Sequence, residues 1–277
     1  MTETIQLFRP KISVMVGLSA FAGACLYDSL LNREHFYAAA SAVFLSAGSS
    51  ALNQYQESRE DKLMLRTRRR PVASGAMSGF EAVRLAVFML ALSASMMIMA
   101  GSIAGLVFLP FTIMVYNFIY TPMKKISPFA LLIGSVTGAI PPVMGYVAVG
   151  GSAFSPDIMT VAVVLYIWQT PHFALLSERF SADYRLAGFK TLSSVYGKPK
   201  AELFINTWLA AFICALFFIP VSNVYCFQAM SAAHLGTTIV FASAMLCVRK
   251  SSTKTFHILN LCMVIFFLML VVDRIIL

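Results

Sequence analysis

Apolar runs of one recurring length alternate along the chain with shorter polar connections. Nine stretches of roughly 20 residues carry almost no charge: about 11–31, 36–55, 80–101, 103–121, 129–150, 156–177, 203–222, 230–248 and 256–275. About 20 apolar residues is the helix length that crosses a hydrocarbon layer ~30 Å thick. In lipid each backbone N–H and C=O must be satisfied within its own segment, so every stretch is predicted to be helical. The pattern predicts an all-α polytopic membrane protein with about nine transmembrane helices, forming a single domain over residues 1–277. The short polar start before the first stretch is followed by no small-residue cleavage site and then a soluble domain, so a removed signal peptide is not expected.

Composition agrees: 59% of the 277 residues are hydrophobic and 12% charged, about half the charge of a soluble domain. The placement of charge gives a topology. Nineteen of the 21 Lys and Arg fall on one side of a nine-span layout: Arg9 and Lys11; Arg59 to Arg70 with Arg84; Lys124 and Lys125; Arg179 to Lys200; and Arg249, Lys250 and Lys254. Only Arg33 and Arg274 fall opposite. By the positive-inside rule the crowded side, with the N-terminus, is cytoplasmic, and the lack of an Arg- and Ser-rich presequence favours a bacterial inner membrane. The formal charge of +9 therefore reads as membrane orientation, and no nucleic-acid partner is expected. The five cysteines lie singly in or beside spans with no CxxC pair, as packing residues do.

Two connections on the basic side are long and polar, about 56–79 and 178–202, and each follows a span running in the same direction. Asp61 and Asp183 are 122 residues apart, close to four helices with their loops. The spacing suggests two four-helix halves in parallel repeat, plus a ninth helix, around a central cavity. Asn53, Glu57 and Asp61 recur every fourth residue and would share one face of a helix continued out of span two. One amide and two carboxylates suit a hard cation such as Mg2+, which commonly bridges carboxylates to phosphate oxygens. Beside them, Arg66, Arg68, Arg69 and Arg70 are guanidinium groups able to grip phosphate with two hydrogen bonds each. Together they form the constellation for a diphosphate, although mixed charge at a helix end would also serve topology or bind anionic lipid headgroups. The second loop repeats the theme with Glu178, Arg179, Asp183, Tyr184, Arg185 and Lys190. Span six ends on Gln169, Pro171 and His172, and span five carries Pro141-Pro142; these prolines are expected to break their helices at membrane depth. No Walker sequence, GxGxxG or Ser/His/Asp arrangement appears.

These residues resemble the UbiA superfamily of intramembrane prenyltransferases, and within it the protohaem IX farnesyltransferases. The resemblance runs through Arg9-Pro10-Lys11-Ile12, Asn53 to Pro71 with Met64-Leu65-Arg66-Thr67, and Tyr120-Thr121-Pro122 with Lys124-Lys125. It continues through Gly134 to Gly145, Trp168-Gln169 with Pro171-His172-Phe173, and Asp183-Tyr184 with Ala187-Gly188. It implies transfer of a farnesyl group from farnesyl diphosphate to a vinyl group of haem B, with water added, in an Mg2+-dependent reaction. Asn53, Glu57, Asp61 and Asp183 would be the catalytic positions, with Glu57, Asp61 and Asp183 holding Mg2+. Arg66, Arg70, Lys124, Lys125 and Tyr184 would bind substrate, and His172 would lie near the haem. A haem A synthase or terminal oxidase would be the pathway partner. The chain departs from the family at Glu57 and Arg59, both usually Asp, and after Gly188, where Lys190-Thr191-Leu192-Ser193 replaces Pro-Met-Leu-Pro. Another aromatic acceptor, or a transporter or scaffold role without chemistry, is the competing expectation.

Overall fold

A computed structural model describes residues 2–222, 224–248 and 251–276; the basic residues Arg249 and Lys250 lie outside them. Nine long helices account for the described chain: α1 Pro10–Tyr27, α2 Arg33–Gln56, α3 Gly79–Met99, α4 Ile103–Met123, α5 Ala130–Ala148, α6 Pro156–Arg179, α7 Lys198–Phe218, α8 Gln228–Val248 and α9 Ser252–Ile275. Eight of them are long and apolar enough to cross a membrane, by length and composition; α2 is the exception.

The reason α2 differs lies in its neighbours. It packs on α1 and α3 and touches α4 and α5, so its polar side chains find protein partners instead of lipid. Ser41 and Ser93 exchange hydroxyl-to-carbonyl bonds of 2.8 Å with α3. Gln54 donates to the Leu7 carbonyl at 2.8 Å. Gln56 donates to the Asn117 carbonyl at 3.0 Å, and Asn117 donates back to Gln56 Oε1 at 3.1 Å. A polar group satisfied in this way stabilises a contact that water would otherwise weaken.

Helix α4 is not the uniform span predicted. It is built of short pieces and a π-helical stretch over Met114–Tyr120, a widened geometry often found at functional sites. The expected breaks at Pro141, Pro142 and Pro171 do not occur: α5 and α6 run through them. A helix tolerates internal proline where packed neighbours hold it, and α5 is held between α1 and α6.

The contact of α1 with α5 is backbone on backbone. A Cβ added at Gly145 would land on the Ala20 carbonyl oxygen, and one at Gly23 on the Pro142 carbonyl. Gly145→Ala must therefore push the two helices apart, at a cost of at least ~1–3 kcal/mol. The expected result is a clearly lowered thermal midpoint in detergent; an unchanged midpoint would contradict this contact. Helix α9 closes the assembly against α1, α6 and α8.

Candidate active site

Helices α2 and α6 are both 24 residues long and stop in the same way, at Glu57 (φ −100°, ψ 14°) and Phe180 (φ −113°, ψ 30°). Each is followed by a six-residue helix, Ser58–Leu63 carrying Asp61 and Ser181–Leu186 carrying Asp183. The expectation of one uninterrupted helix through Asp61 is thus modified by a bend. The i-to-i−4 pattern survives it: the Glu57 N–H donates to Asn53 O at 2.9 Å and the Asp61 N–H to Glu57 O at 2.8 Å. Asn53, Glu57 and Asp61 consequently remain on one side, on the wall of a cavity of about 1170 Å³ enclosed chiefly by α1, α2, α4, α5, α6 and α9.

Asp61 is fully buried, and Arg70 Nη1 donates to both of its oxygens at 2.8 Å. Burial, together with the nearby Arg9 and Arg66 cations, pulls the Arg70 guanidinium below its ordinary pKa, and Asp61 only partly opposes this. Glu57 forms an ion pair with Lys124, whose Nζ stands 4.8 Å from the Tyr120 ring centroid and 5.5 Å from that of Phe189. Six cations line the cavity against two carboxylates: Arg9, Lys11, Arg66, Arg70, Lys124 and Lys190 against Glu57 and Asp61. Arg9, Arg70 and Lys124 are half-buried and Lys11, Arg66 and Lys190 exposed, and cations in such excess over carboxylates make a site for a polyanion.

Asp183 does something other than expected. It is buried, is not on the cavity wall, and accepts the backbone N–H groups of Leu65 at 3.2 Å and Arg66 at 3.1 Å. Each oxygen is thereby engaged, and Asp183 fastens the arginine loop instead of standing beside Glu57 and Asp61. Among the described residues no group of three or more His, Cys, Asp or Glu is gathered for a metal ion. Met64, Ala187 and Phe189 form a small buried cluster between the same two loops, and the Lys190 N–H donates to the Lys124 carbonyl at 2.8 Å. The two polar loops of the halves are therefore locked together over the cavity mouth.

Of the other sequence candidates, Arg66, Tyr184 and His172 line the cavity, whereas Lys125 pairs with Glu60 outside it. Tyr116 and Tyr120 also face the cavity, while Tyr166 packs against Trp208. In the sequence Arg9 counts among the basic-side charges and opens the Arg9-Pro10-Lys11-Ile12 stretch of the resemblance, with no role at the site. Its Nη2 donates to Asn53 Oδ1 at 3.1 Å, while Asn53 Nδ2 donates to Thr121 Oγ1 at 3.1 Å, so both ends of the amide are occupied. Arg9 is also the single non-glycine among the described residues with a left-handed backbone, φ 46°. The strain of that conformation, ~1–3 kcal/mol, turns the side chain inward. The Arg-Pro dipeptide was the only signal for it.

The profile of the UbiA prenyltransferase family matches residues 12–271. The chain is 37% identical to a protoheme IX farnesyltransferase of Oleidesulfovibrio alaskensis, covering 98% of this chain and 95% of that one. It is 33% identical to a protoheme IX farnesyltransferase of Geobacter sulfurreducens, over 79% and 80% of the two chains. Among solved structures, the apo form of a UbiA homolog from Aeropyrum pernix K1 superposes with a TM-score of 0.78 at 18% identity, covering 97% of this chain and 98% of that one. A UbiA homolog from Archaeoglobus fulgidus bound to GPP and Mg2+ gives 0.74 at 13% identity, covering 99% and 100%. At those identities the likeness is one of fold.

Proposed function

The chain belongs to the UbiA prenyltransferase family, and from that premise we propose that it transfers a farnesyl group from farnesyl diphosphate to a vinyl group of protohaem IX, with water added, to give haem O. The observation that carries this reading is a cavity of about 1170 Å³ with a cation-rich mouth bearing two carboxylates and a largely apolar wall behind it. That is larger than the ~300–1,000 Å³ typical of a drug-sized ligand, as two bulky apolar substrates require.

In the first half of the reaction, the bond between farnesyl C1 and the diphosphate oxygen breaks and its electron pair leaves with the diphosphate. Arg66, Arg70, Lys124 and Arg9 hold the phosphate oxygens and stabilise the charge that grows on them. Asp183 acts at one remove by keeping the Leu65–Arg66 backbone in place. Tyr116 and Tyr120 turn aromatic faces toward the chamber, where positive charge develops, and the surrounding helices keep bulk water away.

The residues fit Mg2+ held with the diphosphate. Glu57 and Asp61 offer hard oxygen donors at the wall, and Arg70 and Lys124 are placed to exchange them for phosphate oxygens. Asn53 and Asp183 already spend their oxygens on Arg9 and on backbone amides, so ligation falls to Glu57 and Asp61. When bound, Mg2+ neutralises diphosphate charge and makes it a better leaving group. Tyr184, on the wall beside Phe189, contacts substrate by its ring. The positive-inside rule puts this mouth on the cytoplasmic side of the cell membrane. The hydroxylated product would pass to a haem A synthase or terminal oxidase.

Arg9 gives a separable test of the binding part. Arg9→Gly removes the cation while keeping a residue at ease in the left-handed region. Loss of one charge-assisted hydrogen bond, ~1.5–3 kcal/mol, predicts a KM for farnesyl diphosphate raised about tenfold or more, with thermal stability kept. An unchanged KM would remove Arg9 from the site.

Extraction of pigments from cells expressing the chain tests the whole reading. Haem O is expected. Haem B alone would contradict it, and a farnesylated quinone or chlorin would indicate a different acceptor on the same machinery.

A further inference from the structure

Deeper in the chamber, α6 presents two polar side chains one turn apart, Gln169 and His172, among Leu165, Trp168 and Phe173. His172 Nδ1 lies 2.8 Å from Asn260 Oδ1 on α9, and Asn260 Nδ2 donates to the Phe256 carbonyl at 2.8 Å. The second bond identifies the amide nitrogen, so Oδ1 is the acceptor and His172 Nδ1 carries the proton. Nε2 is then a free lone pair, with no hydrogen-bond partner among the described residues. The ring is fixed as well as its tautomer, with centroids 4.9 Å from Trp168, 4.9 Å from Phe256 and 5.7 Å from Phe173. The Gln169 side chain lies along Gly138, where any Cβ would collide with its amide at 2.7 Å. Side chains at i and i+3 on a helix are ~5–6 Å apart, a gap that one water molecule bridges.

We propose that Gln169 and His172 form a water site, in which His172 is the base of the second half of the reaction and Asn260 is a positioning residue. The proposal rests on the function given above. Once the vinyl π pair has bonded to farnesyl C1, the vinyl carbon next to the macrocycle carries the positive charge. The water oxygen bonds to that carbon and its proton passes to His172 Nε2, which releases it to solvent as products leave. No oxidant or reductant is involved. The protonated alcohol is a far stronger acid than an imidazolium, so the transfer to His172 runs downhill. A cation in an apolar chamber has a competing fate: losing a proton from the adjacent carbon to give an alkene lighter by one water. Holding one water against the cation, with a base behind it, decides between them. Asn260 keeps Nε2, and not Nδ1–H, turned to the chamber.

The purified full-length chain with farnesyl diphosphate, haem B, Mg2+ and isotopically labelled water separates these outcomes by mass. Wild type is expected to give the hydroxylated, labelled product. In His172→Gln the ratio of hydroxylated product to alkene should fall about a hundredfold, in line with removal of a general base; Gln169→Leu, which removes the second partner of the water, should lower it about tenfold or more, and Asn260→Leu should lower it less. Total farnesylated porphyrin should fall by a smaller factor than the ratio. Should His172→Gln yield no product, Gln169→Leu decides, since it leaves the imidazole and its Asn260 bond intact. An unchanged ratio with reduced total product would overturn the proposal. So would a ferric haem spectrum with imidazole ligation in wild type that is lost in His172→Gln, because Nε2 would then be on iron. Absence of any farnesylated porphyrin from wild type would instead defeat the function itself.

Discussion

Asp61→Asn is expected to lower farnesyl transfer about a thousandfold, ~4 kcal/mol in the barrier. The carboxylate is fully buried and paired through both oxygens with Arg70. An amide keeps the shape and removes the charge that a metal-bound diphosphate site needs. It also leaves the half-buried Arg70 guanidinium without its counter-charge, which lowers stability by ~1–3 kcal/mol. Turnover at saturating substrate and the thermal midpoint in detergent should both fall. A variant whose turnover stays within tenfold of wild type would remove Asp61 from the chemistry.

Asp183→Ala is expected to reduce kcat/KM about a hundredfold, and by a different route. Two backbone amides, of Leu65 and Arg66, lose a charged acceptor, each contact worth ~1.5–3 kcal/mol. The loop carrying Arg66 and Arg70 should then come away from the second loop, and hydrogen exchange over residues 62–70 should accelerate. Raising Mg2+ is not expected to restore activity, whereas it would partly compensate for a lost metal ligand. A loop that stays protected in the variant, or activity recovered by Mg2+, would return Asp183 to the role expected from sequence.

The contrast between these two aspartates shows what sequence can carry. Their matching positions after α2 and α6 were visible because helix period and charge spacing are local properties of the chain. Their different uses were not, because Asp183 spends its oxygens on a loop 117 to 118 residues away in sequence. Nine apolar stretches were likewise legible, since each reports only its own length and polarity. The second of them was already the most polar, and the partners of Ser41 on α3, of Gln54 at Leu7 ahead of α1 and of Gln56 on α4 explain why a helix of that composition is stable. The prolines misled because a helix break is read locally, while tolerance of Pro141, Pro142 and Pro171 depends on neighbours that hold the segment. The π-helical stretch of α4 has no residue signature at all. Arg9 was hidden for a related reason: a cation before a span is ordinary topology, and only its left-handed backbone and its bond to Asn53 distinguish it.

Lys125 illustrates the limit of carrying a pair of residues over together. It follows Lys124 in sequence, yet consecutive residues at a helix end face different ways. Lys124 meets Glu57 at the cavity wall, and Lys125 meets Glu60 outside it. Lys125→Ala should accordingly leave kcat/KM within a fewfold of wild type, whereas Lys124→Ala should lower it at least tenfold; equal losses in the two variants would contradict the assignment.

The most direct test is diphosphate release from farnesyl diphosphate by the purified chain with haem B, measured with Mg2+ and again after chelation. Release is expected to track farnesylated haem mole for mole, to require Mg2+ and to disappear in Asp61→Asn. Release that is absent, or that proceeds undiminished without the metal, would contradict the proposed function.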